Sequence, residues 1–342
     1  MHQMNGGFVY VQTNDADSNE AVVFGRRADG MLERLGSYLT GGQGSGQPHL
    51  PSQSSVVVDG NHLFVTNAGS ADVSVFTLDE DRLVLRDRVR SGGTSPRSIA
   101  VHGPHVYVLN TGDEPSVSGF VLEDDRLVPL SEAIRSLGAG SDPAQVAFSP
   151  DGRTLLITDR ASDTIHAFAV SDAGIAQDHV THRSSGATPY GFDVTADGVV
   201  VVTEAAGAQV GKASASSYKL ERPAQLAPVS GAVGNTRSEV CWALISKDDR
   251  IAFVTNFGDG TISTYEIAED GTIALREAVA ATTVDGRPGI RDAALSADGR
   301  YLYALHADTG RVFGWSVTRD GKLEAVGSAN GLPLTAAGLA AT

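Results

Sequence analysis

The sequence predicts an all-β protein, a seven-bladed β-propeller made of four-stranded antiparallel blades. The first observation is a block that recurs six times, in which a tight polar turn joins two short apolar runs and further strand-like runs follow. One turn residue marks each block, and the markers are Asp59, His102, Asp151, Asp197, Asp248 and Asp298. Their spacings of 43, 49, 46, 51 and 50 residues fit the period of a four-stranded propeller blade, which is roughly 40–50 residues.

The second observation is that the two ends of the chain complete each other. Three N-terminal runs, 8–14, 20–29 and 32–40, have the pattern of a blade that lacks its inner strand. The C-terminal segment LPLTAAGLAAT (332–342) has the pattern of an inner strand with no blade behind it. Joining them closes the propeller and leaves no open sheet edge. We therefore predict seven blades in a single domain over residues 1–342.

Composition supports this interpretation. The chain has 39 Gly and 6% aromatic residues, and no window shows a sustained apolar period of 3.6, so few helices are expected. No apolar run of 18 residues and no leader segment is visible, which favours a soluble, cytoplasmic protein without a membrane partner. We also expect a monomer.

The charge pattern favours some partners over others. The chain carries 26 basic and 41 acidic residues, a net charge of −15, and the acids are scattered over turns and outer strands. Such a distribution indicates a solvated acidic surface. A nucleic-acid partner is not expected, because phosphate binding requires clustered Lys and Arg. The single Cys241 excludes an intramolecular disulfide, and its apolar neighbourhood predicts a buried, inert thiol.

The turns predict where a functional site would lie. Each marker turn joins strand one of a blade to strand two, so the start of strand one and the end of strand two share one end of the propeller. The residues that begin strand one, here called openers, are Ser54, Arg97, Ala144, Tyr190, Cys241 and Arg291. The residues that end strand two, here called closers, are Asn67, Asn110, Asp159, Glu204, Asn256 and His306, and Arg160 follows Asp159. Both sets are expected around one mouth of the central channel.

Two closers are candidate proton carriers. Glu204 follows the apolar run VVVVT (199–203), and a carboxylate that ends a buried run is either paired or functional. His306 is the alternative general acid or base, because its ordinary pKa lies near neutrality. The small-residue stretch 207–218 beside Glu204 could close over the mouth as a lid.

The remaining candidates would bind substrate. Four arginines could pair with Glu204 or bind an anionic substrate by bidentate contacts, and these are Arg97, Arg160, Arg237 and Arg291. Tyr190 is a further candidate from the openers. Three closers could either cap turns or contact substrate, and these are Asn67, Asn110 and Asn256.

Several motifs resemble a known family. The SPDGR-type blocks, VTEA (202–205), SSY (216–218), CW (241–242), FVTNFGDGTISTYEI (253–267) and GLPLTAAGLAA (331–341) are similar to the seven-bladed β-propeller lactonases. That family groups 6-phosphogluconolactonase-like enzymes with carboxymuconate-lactonizing enzymes. The resemblance implies the propeller fold and lactone chemistry, with Arg97 and Glu204 matching family residues. Family members tend to have His among the openers, and this chain has none, which leaves a mechanism based on Glu and Arg open.

Three functions therefore remain open. The leading hypothesis is a lactonase-type enzyme acting on a small carboxylated lactone or a related cyclic or unsaturated acid, by hydrolysis or lactonizing isomerisation and without a cofactor. A second is a metal-dependent sugar-lactonase-like hydrolase, in which closer oxygens would hold a divalent cation at the channel mouth. A third is a non-catalytic propeller that binds a partner or peptide.

Overall fold

The fold is the predicted seven-bladed propeller. The computed structural model describes residues 6–48, 50, 53–79 and 82–342. It contains 28 strands in seven four-stranded antiparallel sheets, one sheet per blade. The helical elements of these described residues are short 3-10 turns at Ala206–Ala208, Phe257–Asp259 and Ala307–Thr309. In the same part of the chain, none of the helices has the length and hydrophobicity that crossing a bilayer requires.

The blades follow the chain in order, with strand one innermost. Blade 1 contains β28 (Ala337–Ala341), β1 (Phe8–Gln12), β2 (Glu20–Arg26) and β3 (Leu32–Leu39). Blade 2 contains β4 (Val56–Asp59), β5 (His62–Asn67), β6 (Asp72–Asp79) and β7 (Arg82–Arg90). Blade 3 contains β8 (Pro96–His102), β9 (His105–Asn110), β10 (Ser116–Glu123) and β11 (Arg126–Ser136). Blade 4 contains β12 (Pro143–Phe148), β13 (Thr154–Asp159), β14 (Thr164–Val170) and β15 (Ala176–Arg183). Blade 5 contains β16 (Pro189–Val194), β17 (Val199–Glu204), β18 (Ser214–Arg222) and β19 (Gln225–Gly234). Blade 6 contains β20 (Val240–Ile245), β21 (Ile251–Asn256), β22 (Thr261–Ile267) and β23 (Ile273–Thr282). Blade 7 contains β24 (Ile290–Leu295), β25 (Tyr301–His306), β26 (Arg311–Val317) and β27 (Leu323–Ala329).

The C-terminal strand closes the propeller as predicted. Strand β28 pairs antiparallel with β1, with Val9 opposite Ala341 and Tyr10 opposite Ala340. The Thr342 amide donates a hydrogen bond to the Phe8 carbonyl at 2.9 Å, and the Phe8 amide donates to Thr342 Oγ1 at 2.7 Å. The two ends of the chain therefore form one blade.

Hydrophobic packing occurs between neighbouring blades. In the described residues, seven clusters of buried side chains lie one at each junction between adjacent blades. Trp242 and Tyr265 belong to the junction of blades 5 and 6, and Phe24 and Tyr303 to that of blades 7 and 1. Strands covered on both faces are apolar along their whole length, which explains runs such as the fully buried residues of 199–202.

The strand pairing shows which end of the propeller carries the openers and closers. Openers and closers lie at the same end, as predicted, because the first residue of an inner strand pairs with the closer: Pro189 with Glu204, and Val240 with Asn256. A β-bulge follows directly in the inner strands β8, β12, β16, β20 and β24. Bulges re-aim side chains locally, so they decide which way the openers point.

Candidate active site

A cavity of about 290 Å³ opens at the end of the propeller that carries the openers. It lies where blades 4, 5 and 6 meet. Ten residues line it, and these are Arg160, Thr188, Tyr190, Ala205, Gly207, Ala208, Glu239, Val240, Cys241 and Phe257. Its walls are largely apolar and aromatic with a few polar groups, which is the usual construction of a small-molecule site.

The bulges place several openers around this cavity. Tyr190, Cys241 and Arg291 are each the second residue of their inner strand and lie within the bulge. Tyr190 and Cys241 line the cavity. The Arg291 guanidinium lies over the ring of Phe257, which also lines the cavity, at 5.3 Å from the ring centroid. The bulge therefore directs openers from three blades to one place.

Arg291 is a buried cation with unused hydrogen-bond donors. The residue is 6% exposed, and its Nη2 donates to Asp308 Oδ1 at 3.0 Å. Its Nε and Nη1 atoms have no hydrogen-bond partner among the described residues. Burial lowers the pKa of the Arg291 guanidinium, yet an arginine remains charged in proteins. Because buried donors without acceptors are costly, this guanidinium is suited to an anionic ligand.

Arg160 and Arg97 add positive charge at the same mouth. The Arg160 guanidinium lies 4.8 Å from the centroid of the Tyr190 ring and donates to Asp142 Oδ1 at 2.5 Å. Burial lowers the pKa of Arg97, and the neighbouring charge of Arg160 lowers it further. The positive charge of each guanidinium is therefore unfavourable to the other, and a bound anion would offset it.

Arg237 forms an ion pair with Asp259, with 3.6 Å between Nη1 and Oδ2. Like Arg97 and Arg291, it is absent from the cavity lining. Its predicted contact with substrate stays a prediction.

The thiol and the phenol of the cavity are neutral groups. Burial raises the pKa of the Cys241 thiol to about 12, and burial also raises the pKa of the Tyr190 hydroxyl above its ordinary value. Cys241 is therefore protonated at neutral pH and is a poor nucleophile. Both side chains contribute shape and weak polarity to the cavity wall.

The three asparagine closers point into their own blades. Asn67 Nδ2 donates to Ser74 Oγ at 2.8 Å, and Asn256 Nδ2 donates to Ser263 Oγ at 2.9 Å. Asn110 Nδ2 bonds Ser118 Oγ at 3.2 Å in the same way. All three are fully buried and lie outside the cavity lining. Their hydrogen bonds link strand two to strand three of each blade. The prediction that closers form a polar ring at the channel mouth is therefore wrong for these side chains.

This placement also bears on the metal-dependent hypothesis. The proposed oxygen donors lie in five different blades, and these are Asn67, Asn110, Asp159, Glu204 and Asn256. The amide oxygen of Asn67, for example, already accepts a hydrogen bond from Thr40 Oγ1 at 2.7 Å. Within the described ranges, no group of three or more His, Cys, Asp or Glu residues could hold a metal ion. The closers therefore do not converge on a cation site.

Glu204 is sealed inside blade 5. Its carboxylate is fully buried and accepts hydrogen bonds from Ser214 Oγ at 2.7 Å, the Gly186 amide at 2.9 Å, Ser184 Oγ at 3.3 Å and Ser216 Oγ. Burial raises the pKa of Glu204, although the hydroxyls of Ser216 and Ser214 oppose that shift. In the described part of the chain its partners are hydroxyls and an amide, so the alternative of an arginine pair is wrong. Its catalytic role stays a prediction, and the cavity lining does not include it.

His306 occupies the equivalent position in blade 7. It is fully buried, its Nδ1 lies 3.2 Å from Thr309 Oγ1, and burial lowers the pKa of its imidazole. A Cβ on Gly289 would lie 2.7 Å from His306 Cε1, just as a Cβ on Gly186 would lie 2.5 Å from Glu204 Oε2. Glycines in the connections between blades thus cover both closers. The predicted proton transfer by His306 stays a prediction, and the cavity lining does not include it.

The expected lid is shorter than predicted. Residues 214–218 belong to strand β18, so the connection from β17 spans residues 205–213. Three of its residues, Ala205, Gly207 and Ala208, line the cavity, and the Gly211 amide donates to Ser238 Oγ at 3.0 Å. The connection therefore forms one wall of the cavity.

Sequence reasoning missed Glu239 and Phe257. Glu239 immediately precedes β20, and Phe257 immediately follows β21. Neither belongs to the opener or closer sets, although both sets mark the neighbouring positions. Comparing the residue before each inner strand would have aligned Glu239 with Ser55, Ser95, Asp142, Thr188 and Gly289 of other blades.

Comparison with known proteins agrees with this architecture. The chain matches the family described as "Lactonase, 7-bladed beta-propeller" over residues 2–125, 126–207 and 205–333. It belongs to this lactonase family. The chain matches no curated protein in sequence.

Solved structures show the same fold at low identity. A candidate 6-phosphogluconolactonase from Bacteroides fragilis has a TM-score of 0.77 at 16% identity, with 99% of each chain covered. The periplasmic gluconolactonase of Pseudomonas aeruginosa has a TM-score of 0.74 at 17% identity, covering 98% of this chain and 99% of its own. A protein from Lactobacillus plantarum has a TM-score of 0.78 at 15% identity, covering 98% and 99%. At such identities these structures establish the fold.

Proposed function

We propose that this lactonase-type propeller hydrolyses a small lactone that carries an anionic group, bound in the cavity of about 290 Å³. Family membership supports lactone chemistry. Two proteins of the same fold are named as a candidate 6-phosphogluconolactonase and a gluconolactonase. The arginines at the mouth support the anionic group.

The observation that carries this proposal is the guanidinium of Arg291. The cavity lining does not include Arg291, but its guanidinium lies over the ring of Phe257, which does line the cavity. Its Nε and Nη1 atoms are buried and unpartnered in the described structure. A carboxylate or phosphate accepts two parallel hydrogen bonds from a guanidinium, and such charge-assisted bonds are stronger than neutral ones. A ligand with an anionic group would thus satisfy donors that the protein leaves open.

The cavity also suits the chemistry of ester hydrolysis. Attack of water on a lactone carbonyl places negative charge on its oxygen, and fixed positive groups lower the energy of that state. Arg160 lines the cavity and is held in place by Asp142 and Tyr190. Apolar neighbours such as Val240 and Phe257 exclude water, which strengthens charge interactions inside the site.

A charge-matched substrate panel tests the proposal. We would measure acid release from the γ-lactone of 2-hydroxyglutarate, its neutral methyl ester, 6-phosphogluconolactone and glucono-δ-lactone. We expect kcat/KM for an anionic lactone to exceed that for the neutral ester by roughly tenfold or more, the value of a charged hydrogen bond. Equal rates for acid and ester would contradict the anionic specificity.

The same panel separates the alternative functions. Product analysis that detects an unsaturated acid in place of a hydroxy acid would indicate lactonizing isomerisation. Binding of an anionic lactone without turnover would favour a binding protein. Activity that disappears with a chelator and returns with a divalent cation would favour the metal-dependent hydrolase.

A further inference from the structure

Glu239 occupies a backbone position that suits small residues. The residue immediately before an inner strand has a positive φ in four blades, at Ser95 (54°), Thr188 (60°), Glu239 (51°) and Gly289 (135°). Left-handed backbone is unfavourable for residues that carry a Cβ, and glycine adopts it freely. Three blades place Ser, Thr or Gly there, whereas blade 6 has a long acidic side chain.

The Glu239 carboxylate makes no structural contact that would explain its presence. The main-chain carbonyl of Glu239 accepts a hydrogen bond from the Phe257 amide at 2.9 Å, and any residue could provide that bond. In the described part of the chain its carboxylate forms no ion pair and no hydrogen bond. Backbone strain that structure alone does not require is typical of functional sites.

The same carboxylate lies at the cavity. Glu239 is partly exposed and is the one carboxylate residue among the described residues that line this cavity. Arg160 lines the same cavity, and the Arg291 guanidinium lies over the ring of Phe257, another lining residue. A carboxylate and two guanidiniums are therefore found at one cavity. Such a combination pairs a proton acceptor with groups that bind anions.

We propose that Glu239 is the general base of this site, an inference that rests on the proposed lactone hydrolysis. The Glu239 carboxylate takes a proton from water as the water oxygen bonds to the lactone carbonyl carbon. The tetrahedral intermediate then collapses, the bond between the carbonyl carbon and the ring oxygen breaks, and that oxygen receives the proton from Glu239. The sum is lactone plus water giving a hydroxy acid, with the carboxylate regenerated.

Other groups near the cavity are less suited to this role. Glu204 is fully buried and holds four hydrogen bonds inside blade 5. Asp292 is 2% exposed and accepts a hydrogen bond from the Gly338 amide at 2.6 Å. A general base must reach the water that it activates, and Glu239, which lines the cavity and is partly exposed, meets this condition.

Two variants of Glu239 and one matched control test the assignment. The substrate is whichever anionic lactone of the panel the wild type hydrolyses fastest. Glu239→Gln and Glu239→Gly should lower kcat by roughly 10²–10⁴-fold, while calorimetric binding of the 2-hydroxyglutarate product is retained. Glu239→Gly should also keep or raise Tm, because glycine relieves the positive φ. Glu33→Gln, the control at an exposed position of β3, removes one carboxylate away from the cavity and should keep both Tm and kcat.

Each outcome has a defined meaning. Glu239 variants that keep kcat within about threefold, well below the effect of a lost general base, would overturn the assignment and leave lactone hydrolysis standing. A loss of kcat in Glu33→Gln as large as that in the Glu239 variants would overturn it as well, because the loss would not be specific to Glu239. A wild-type protein that hydrolyses no lactone would overturn the proposed function and the base role together.

Discussion

Asp292 makes the stability of the propeller depend on pH in an unusual direction. Its carboxylate is 2% exposed, and its Oδ2 accepts a hydrogen bond from the amide of Gly338, which lies in the strand that closes the propeller. Burial raises the pKa of Asp292 to about 7 from an ordinary value of 3.8, against the opposing effects of that amide and of Arg291. The folded state therefore holds a proton that the unfolded chain releases near pH 4.

The linkage between proton binding and folding gives the sign and the size of this pH dependence of stability. A raised folded-state pKa means that the folded protein binds more protons than the unfolded chain between about pH 4 and pH 7, so the free energy of unfolding falls as the pH rises through that window. A pKa difference of about three corresponds to about 4 kcal/mol at roughly 1.4 kcal/mol per unit. Asp292→Asn removes this proton-linked contribution and keeps an oxygen for the Gly338 amide.

Urea denaturation of wild type and Asp292→Asn between pH 4.5 and pH 8.5 measures this effect. The stability of the variant relative to wild type should rise with pH, by about 4 kcal/mol at most over the whole window. Asp59→Asn, at an exposed turn, controls for loss of one acidic group. A relative stability of Asp292→Asn that stays constant with pH, or that falls as the pH rises, would refute the reasoning.

Two further predictions concern the fold. Deleting residues 332–342 removes β28 and exposes the edge of β1, so the truncated chain should aggregate or lose cooperative unfolding; a monomer with unchanged Tm would contradict ring closure. Gly186→Ala places a methyl group 2.5 Å from Glu204 Oε2 and should cost about 1–3 kcal/mol in chemical denaturation. The control is Gly231→Ala, where a Cβ meets nothing within 4 Å, and it should be neutral or slightly stabilising. Equal losses of stability in the two variants would contradict the close packing of Gly186 against Glu204.

The sequence predicted the architecture because the blade repeat is local and regular. Turn spacing indicated six blocks, the complementary ends of the chain indicated the seventh blade, and hairpin pairing placed openers and closers at one end. The direction of their side chains could not be predicted, because it depends on bulges in the inner strands that have no simple sequence signature. Those bulges bring Tyr190, Cys241 and Arg291 to the cavity.

For the closers, in contrast, the sequence contained a pattern from which their structural role could have been predicted. Asn67 and Ser74 are seven residues apart, as are Asn256 and Ser263, and each pair forms a hydrogen bond within one blade. That repeated spacing was visible in the sequence and indicates a structural role. Glu204 has serine partners of the same kind, Ser214 and Ser216, but the longer connection in blade 5 shifts their spacing and hides the pattern.

The central claim is that Arg291 binds the anionic group of a lactone, and a comparison of substrate charge with protein charge tests it most directly. We would measure kcat/KM of wild type and Arg291→Met on the γ-lactone of 2-hydroxyglutarate and on its methyl ester. Methionine keeps the length of the side chain and removes its unpartnered donors, so Tm should be unchanged or higher. The variant should lose about 10–150-fold on the acid, the value of charged hydrogen bonds, and little on the ester. An equal loss on both substrates, or no loss on the acid, would contradict the account.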